Sequence, residues 1–170
     1  MKQSEKDYKR IVIKIGSSLF FRKIPADSHC ASGINLDFNV INGVAEQIVR
    51  LIKDGKEVVI VSSGAIAMGM SLLKITTSRP RGLPYLQAIA AMGQNELMDF
   101  YRKVFNKNML NCAQILLTWE DFTNRKRYLN AKNTLLTLLK LGSVPVINEN
   151  DTISTDEIKF GDNDRLSALV

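Results

Sequence analysis

Four short apolar runs divide the chain, and residues with helical spacing separate most of them. The runs are RIVIKI at 10–15, EVVIV at 57–61, CAQILL at 112–117 and VPVI at 144–147. Near-continuous apolar strands belong to a sheet covered on both faces, and strands joined through helices run parallel. Between the first two, Val40, Ile41, Val44, Ile48, Leu51 and Ile52 recur at helical spacing, with Asp37 as a cap near the start and Gly55 just past the end. Residues 66–73 are compatible with a helix. After the break at residues 80–84, Leu86, Ile89, Ala90, Gly93, Leu97, Phe100, Tyr101 and Val104 mark a long helix whose small residues permit close packing. A leucine-rich helix over about 129–141 stops at Gly142. The expectation is an α/β fold, a mostly parallel central sheet with helices on both faces. Residues 20–35 lose periodicity and gather Pro25, Asp27, Ser28, Gly33 and Asn35, which predicts a surface loop, and residues 157–160 read as a short strand or hairpin arm.

Composition narrows the function classes. A chain of 170 residues that is 45% hydrophobic can bury one sizeable core, so one domain or a large piece of one is expected. No apolar stretch reaches the ~20 residues of a membrane span, and the charged first ten residues do not resemble a secretory signal, so the expected location is cytoplasmic. Cys30 and Cys112 stand apart without metal-ligand spacing and read as free thiols. Lys and Arg exceed Asp and Glu by 23 to 17, a charge of +6. The basic residues are scattered, however, and Arg125-Lys126-Arg127 reads as a solvated helix start, so no nucleic-acid partner is expected. Handling two anions, a carboxylate and a polyphosphate, would suit the same charge. His29 lies in the irregular loop with no Ser or Cys arrangement to serve, and Trp119 reads as packing at the end of the third strand. Residues 166–170 begin an apolar helix that stops within about a turn, so the chain reads as truncated at its carboxyl end.

Ligands of an open α/β sheet bind beyond the carboxyl ends of its strands. Lys14 sits near the end of the first run, where an ammonium could reach over the rim toward a phosphate or, as the alternative, snorkel at the sheet edge, and Gly16 and Ser17 could bring backbone N–H groups close to a phosphate. No P-loop or dinucleotide-binding fingerprint is present. Ser63, Gly64 and Ala65 turn from a buried strand into a helix and offer donors for a carboxylate, with a plain helix cap as the alternative. Asn148-Glu149-Asn150-Asp151 is followed ten residues later by Gly161-Asp162-Asn163-Asp164. An amino acid needs acceptors for its ammonium and donors for its carboxylates. Asp151 supplies the first kind and Asn163 either. Asp162 or Asp164 could orient a lysine or hold Mg²⁺. An EF-hand is excluded by spacing.

These motifs together resemble the glutamate 5-kinases of the amino acid kinase family. They are IVIKIGSS (11–18), VIVSSGAIAMG (59–69), QAIAAMGQ (87–94), QILLT (114–118), VPVINENDTIS (144–154) and EIKFGDNDRLSA (157–168), in the family's order. The resemblance implies that residues 10–170 are the glutamate-binding part of a kinase domain, behind an extension at 1–9. It implies transfer of the γ-phosphate of ATP, with Mg²⁺, to the γ-carboxylate of L-glutamate, giving L-glutamyl 5-phosphate for proline synthesis. Lys14 and Asp164 would be catalytic, with Lys14, Gly16 and Ser17 at the phosphate. Ser63, Gly64, Asp151, Asn163, Asp162 and Lys159 would hold glutamate. No direct protein ligand to a metal is implied. Feedback inhibition by proline and a homo-oligomer are further implications. The family's nucleotide-binding half and a PUA domain are missing from these residues, so the chain alone is expected to have little or no kinase activity. The competing readings are another amino acid kinase, such as one acting on acetylglutamate, and a catalytically inactive amino-acid sensor.

Overall fold

The computed structural model describes residues 8–19, 21–23, 34–36, 38–75, 82–154 and 163–170. Four strands, β1 (Arg10–Ile15), β4 (Glu57–Ser62), β5 (Asn111–Leu117) and β6 (Ser143–Glu149), form a parallel sheet in the order β1-β4-β6-β5. The two central strands are buried almost end to end, as their unbroken apolar runs require.

Side-chain alternation divides the core. Val58 and Ile60 of β4, with Val144 and Val146 of β6, face helices α1 (Phe38–Lys53) and α3 (Leu83–Asn106), where Ile48, Leu97, Tyr101 and Phe105 are almost fully buried. Val59, Val61 and Ile147 point the other way, with Leu117 and Leu166, toward Phe122, Leu135 and Leu139. Those last residues belong to α4 (Trp119–Thr123) and α5 (Arg125–Lys140). Helices therefore cover both faces, and α5 begins at the predicted basic triplet. Its cap is Asn124, whose Oδ1 accepts from the backbone N–H groups of Lys126 and Arg127.

Helix α2 (Ala65–Leu72) meets α3 backbone to backbone. A Cβ on Gly93 would lie 1.9 Å from the Ala65 carbonyl oxygen, and one on Gly69 would lie 2.1 Å from that of Ile89. No side chain fits at either position, so the small residues of the long helix draw α2 in over the strand ends.

Two expectations need correction. Residues 20–35 are not wholly loop, since β2 (Phe21–Lys23) pairs antiparallel with β3 (Ile34–Leu36). Three-residue strands are too short to show a period, and the turn-forming residues around them dominate the composition. Trp119 is not strand-end packing but the first residue of α4, capped by Thr118 and Asp121, with 39% of its surface exposed beneath Arg165. Asp37, His29, Cys30 and the arm expected at 157–160 lie outside the described residues.

Candidate active site

Backbone hydrogen bonds carry the sheet ladder past its strand tips and bring the predicted loops to one rim. The Ser63 N–H donates to the Ile15 carbonyl at 2.9 Å, and the Asn150 N–H to the Leu117 carbonyl at 2.8 Å. Gly16 and Ser17 follow β1, where Ser17 opens a single 3-10 turn, Ser17–Leu19. Asp151 lies half-buried in the turn after β6.

Helix α6 (Asp164–Leu169) is docked across these tips through four consecutive residues. The carboxamide nitrogen of buried Asn163 donates to the Ser62 carbonyl of β4 at 2.5 Å and to Asn148 Oδ1 of β6 at 2.6 Å. Asp164 Oδ1 is 2.9 Å from Lys14 Nζ of β1. The Arg165 guanidinium carbon lies 3.3 Å from the centroid of the Trp119 ring, just beyond β5. Leu166 enters the core at 3% exposure. A single turn of chain thus meets the ends of β1, β4 and β6 and the first residue of α4, just beyond β5.

Lys14 lies mostly among its neighbours, with 27% of its side chain exposed, whereas the Asp164 side chain is 74% exposed. A pair so open to water contributes about 0–1 kcal/mol to stability, so its consequence is orientation of the ammonium. Gly16 allows that orientation, because a Cβ there would stand 3.3 Å from Lys14 Nζ. Asn163 and Asp164 are chain neighbours with Cα atoms about 3.8 Å apart, so the cation and the amide share one corner of the rim.

The turn between β4 and α2 combines a left-handed glycine with a buried hydroxyl. Gly64 has φ 109°, a conformation that suits glycine, and it caps α2 with no side-chain hydrogen bond. Ser63 therefore does not act as a plain cap. Its hydroxyl is buried with no hydrogen-bond partner among the described residues. Behind it, Ser62 Oγ lies 2.8 Å from the hydroxyl of Tyr101, whose pKa is pushed up by burial. At the tip of β5, burial would raise the Asp121 carboxyl, but the N–H and hydroxyl of Thr118 and the Arg127 guanidinium together hold it below the usual range.

Sequence reasoning missed Gln94. Its Oε1 accepts from Asn148 Nδ2 at 2.8 Å, and its Nε2 donates to Gln114 Oε1 at 3.2 Å. The available signal was a polar residue one position beyond Gly93 on the buried face of the long helix. Asp162 and Lys159 lie outside the described residues, while Lys14, Gly16, Ser17, Ser63, Gly64, Asp151, Asn163 and Asp164 are described.

The model of the amino acid kinase family matches residues 9–170. The chain belongs to the amino acid kinase family. Among the curated relatives of this chain is the glutamate 5-kinase of Thioalkalivibrio sulfidiphilus, 54% identical over 162 residues, which are 95% of this chain and 40% of that protein. The glutamate 5-kinase of Nitrosospira multiformis is 54% identical over 165 residues, 97% of this chain and 42% of the relative. That of Herminiimonas arsenicoxydans is 55% identical over 162 residues, 95% and 41% respectively. The chain thus spans about two-fifths of the length of these relatives. Among the described residues, no helix is long and apolar enough to cross a membrane.

Proposed function

We propose that this chain contributes the glutamate-binding and phosphate-orienting side of a glutamate 5-kinase that moves the γ-phosphate of ATP to the γ-carboxylate of L-glutamate. The observation that carries the proposal is the Lys14–Asp164 ion pair at 2.9 Å, formed beside buried Asn163. Relatives bearing the glutamate 5-kinase name at 54% identity support it.

Ser63 would donate its unpartnered hydroxyl to a substrate carboxylate. Asn163 and Asp151 would take the ammonium end, with Gly64 leaving the approach unobstructed and Asp162 and Lys159 nearby. The γ-carboxylate oxygen would attack the γ-phosphorus in line, forming the acyl phosphate as ADP departs. Lys14 would hold its ammonium over the transferring phosphoryl group, backed by the small residues Gly16 and Ser17, while Asp164 fixes that ammonium in place. Among the described residues, no three His, Cys, Asp or Glu side chains gather as cation ligands. Mg²⁺ would come with ATP and neutralise charge on its phosphates. Domain limits at 1–9 and 10–170, a cytoplasmic location, a homo-oligomer and inhibition by proline belong to the same reading.

The test uses the protein at the length of its relatives, with ATP, Mg²⁺ and hydroxylamine to trap an acyl phosphate. L-Glutamate is expected to give the hydroxamate and N-acetyl-L-glutamate is not. Preference for the acetylated substrate would assign the chain to another member of the family, and binding of L-glutamate with no trapped product would make it a sensor.

A further inference from the structure

The orientation of a carboxamide at a binding site decides whether it offers a donor or an acceptor, and here two backbone groups determine it. The Ser62 carbonyl can only accept, so the Asn163 end facing it is the NH₂. The Glu149 N–H can only donate, so the Asn148 end 2.9 Å from it is the oxygen. That oxygen also accepts from Asn163 Nδ2, and Asn148 must then turn its NH₂ toward Gln94, whose oxygen receives it at 2.8 Å. The Asn163 oxygen remains as the end without a protein partner among the described residues.

We propose that Gln94 is a positioning residue for the amino-acid site, holding Asn148, and through it Asn163, so that the Asn163 oxygen is presented as an acceptor to the substrate ammonium. The inference rests on the glutamate-site reading above. Gln94 is 8% exposed and 54 positions from Asn148 in sequence. Gly93 brings it there by admitting the α2 backbone. Without Gln94, the Asn148 NH₂ would be buried unpaired, and Asn148 would lose the side-chain bond that steadies its carboxamide against Asn163. The outer member, Gln114, is exposed and can rotate to suit either end of its partner.

Kinetics of the protein at the length of its relatives test this. Gln94→Met keeps the volume but removes the acceptor, and is expected to raise the KM for L-glutamate about 10-fold, leaving kcat at saturation and the KM for ATP within about 2-fold. Gln94→Asn, one methylene too short, is expected to show the same split. Gln94→Glu retains the acceptor and is expected to recover the KM to within about 3-fold. Unchanged KM in the Met and Asn variants, or parallel loss of kcat and both KM values, would overturn the role. A ligand-independent readout separates this from failure of the glutamate reading. In protein labelled with ¹⁵N-asparagine, slow exchange of the Asn163 side-chain NH₂ is expected in the wild type and lost in Gln94→Met. Retained protection in the variant overturns the relay whichever amino acid binds.

Discussion

Ser63 carries a cost that a ligand would remove. Its hydroxyl is buried with no hydrogen-bond partner among the described residues, and such an unsatisfied group costs about 1–3 kcal/mol. Ser63→Ala is therefore expected to leave the unfolding free energy in denaturant unchanged or raised by about 1 kcal/mol. L-Glutamate affinity, measured by calorimetry, should fall about 10-fold. Lower stability with unchanged affinity would mark the hydroxyl as structural. Lys14, Asp151, Asn163 and Asp164 stood out in the sequence because charged and amide side chains interrupt or follow buried strands. The pairing of Asn148 with Gln94 did not, because only the fold brings together groups 54 positions apart.

At the scale of elements, the rim is built by close approach and by caps. Gly93→Ala would place a methyl 1.9 Å from the Ala65 carbonyl oxygen and 2.3 Å from the Gly69 nitrogen, both backbone atoms. A loss of about 2–3 kcal/mol is expected, read as a lower midpoint in urea. Asp121 gives α4 a pH dependence. Its depressed carboxyl stabilises the fold above the ordinary value of about 3.9, and that contribution disappears as pH falls through the folded-state value. Asp121→Asn should thus cost about 1 kcal/mol at neutral pH, with the difference from wild type narrowing below about pH 4. Helices and strands with several repeats of their period were legible in the residues. The hairpin β2–β3 and the five-residue α4 were not, although Thr118 and Asp121 already spelled a capping pair.

Across the whole molecule, residues 163–166 join what the sheet separates. Asn163 holds β4 and β6, Asp164 holds β1, Arg165 covers Trp119 beyond β5, and Leu166 enters the core. Docking of this turn gives Lys14 and the Asn163 amide a common corner, and the proposed roles, a lysine for the phosphate and an amide for the amino acid, call for binding and phosphoryl transfer to respond differently to mutation. The most direct measurement compares kcat with L-glutamate affinity for Lys14→Ala in the protein at the length of its relatives. The expected result is a fall in kcat of about 100-fold or more, with glutamate affinity kept within about 3-fold. Wild-type turnover in the variant, or a loss expressed wholly as weaker glutamate binding, would contradict a phosphate-directed Lys14.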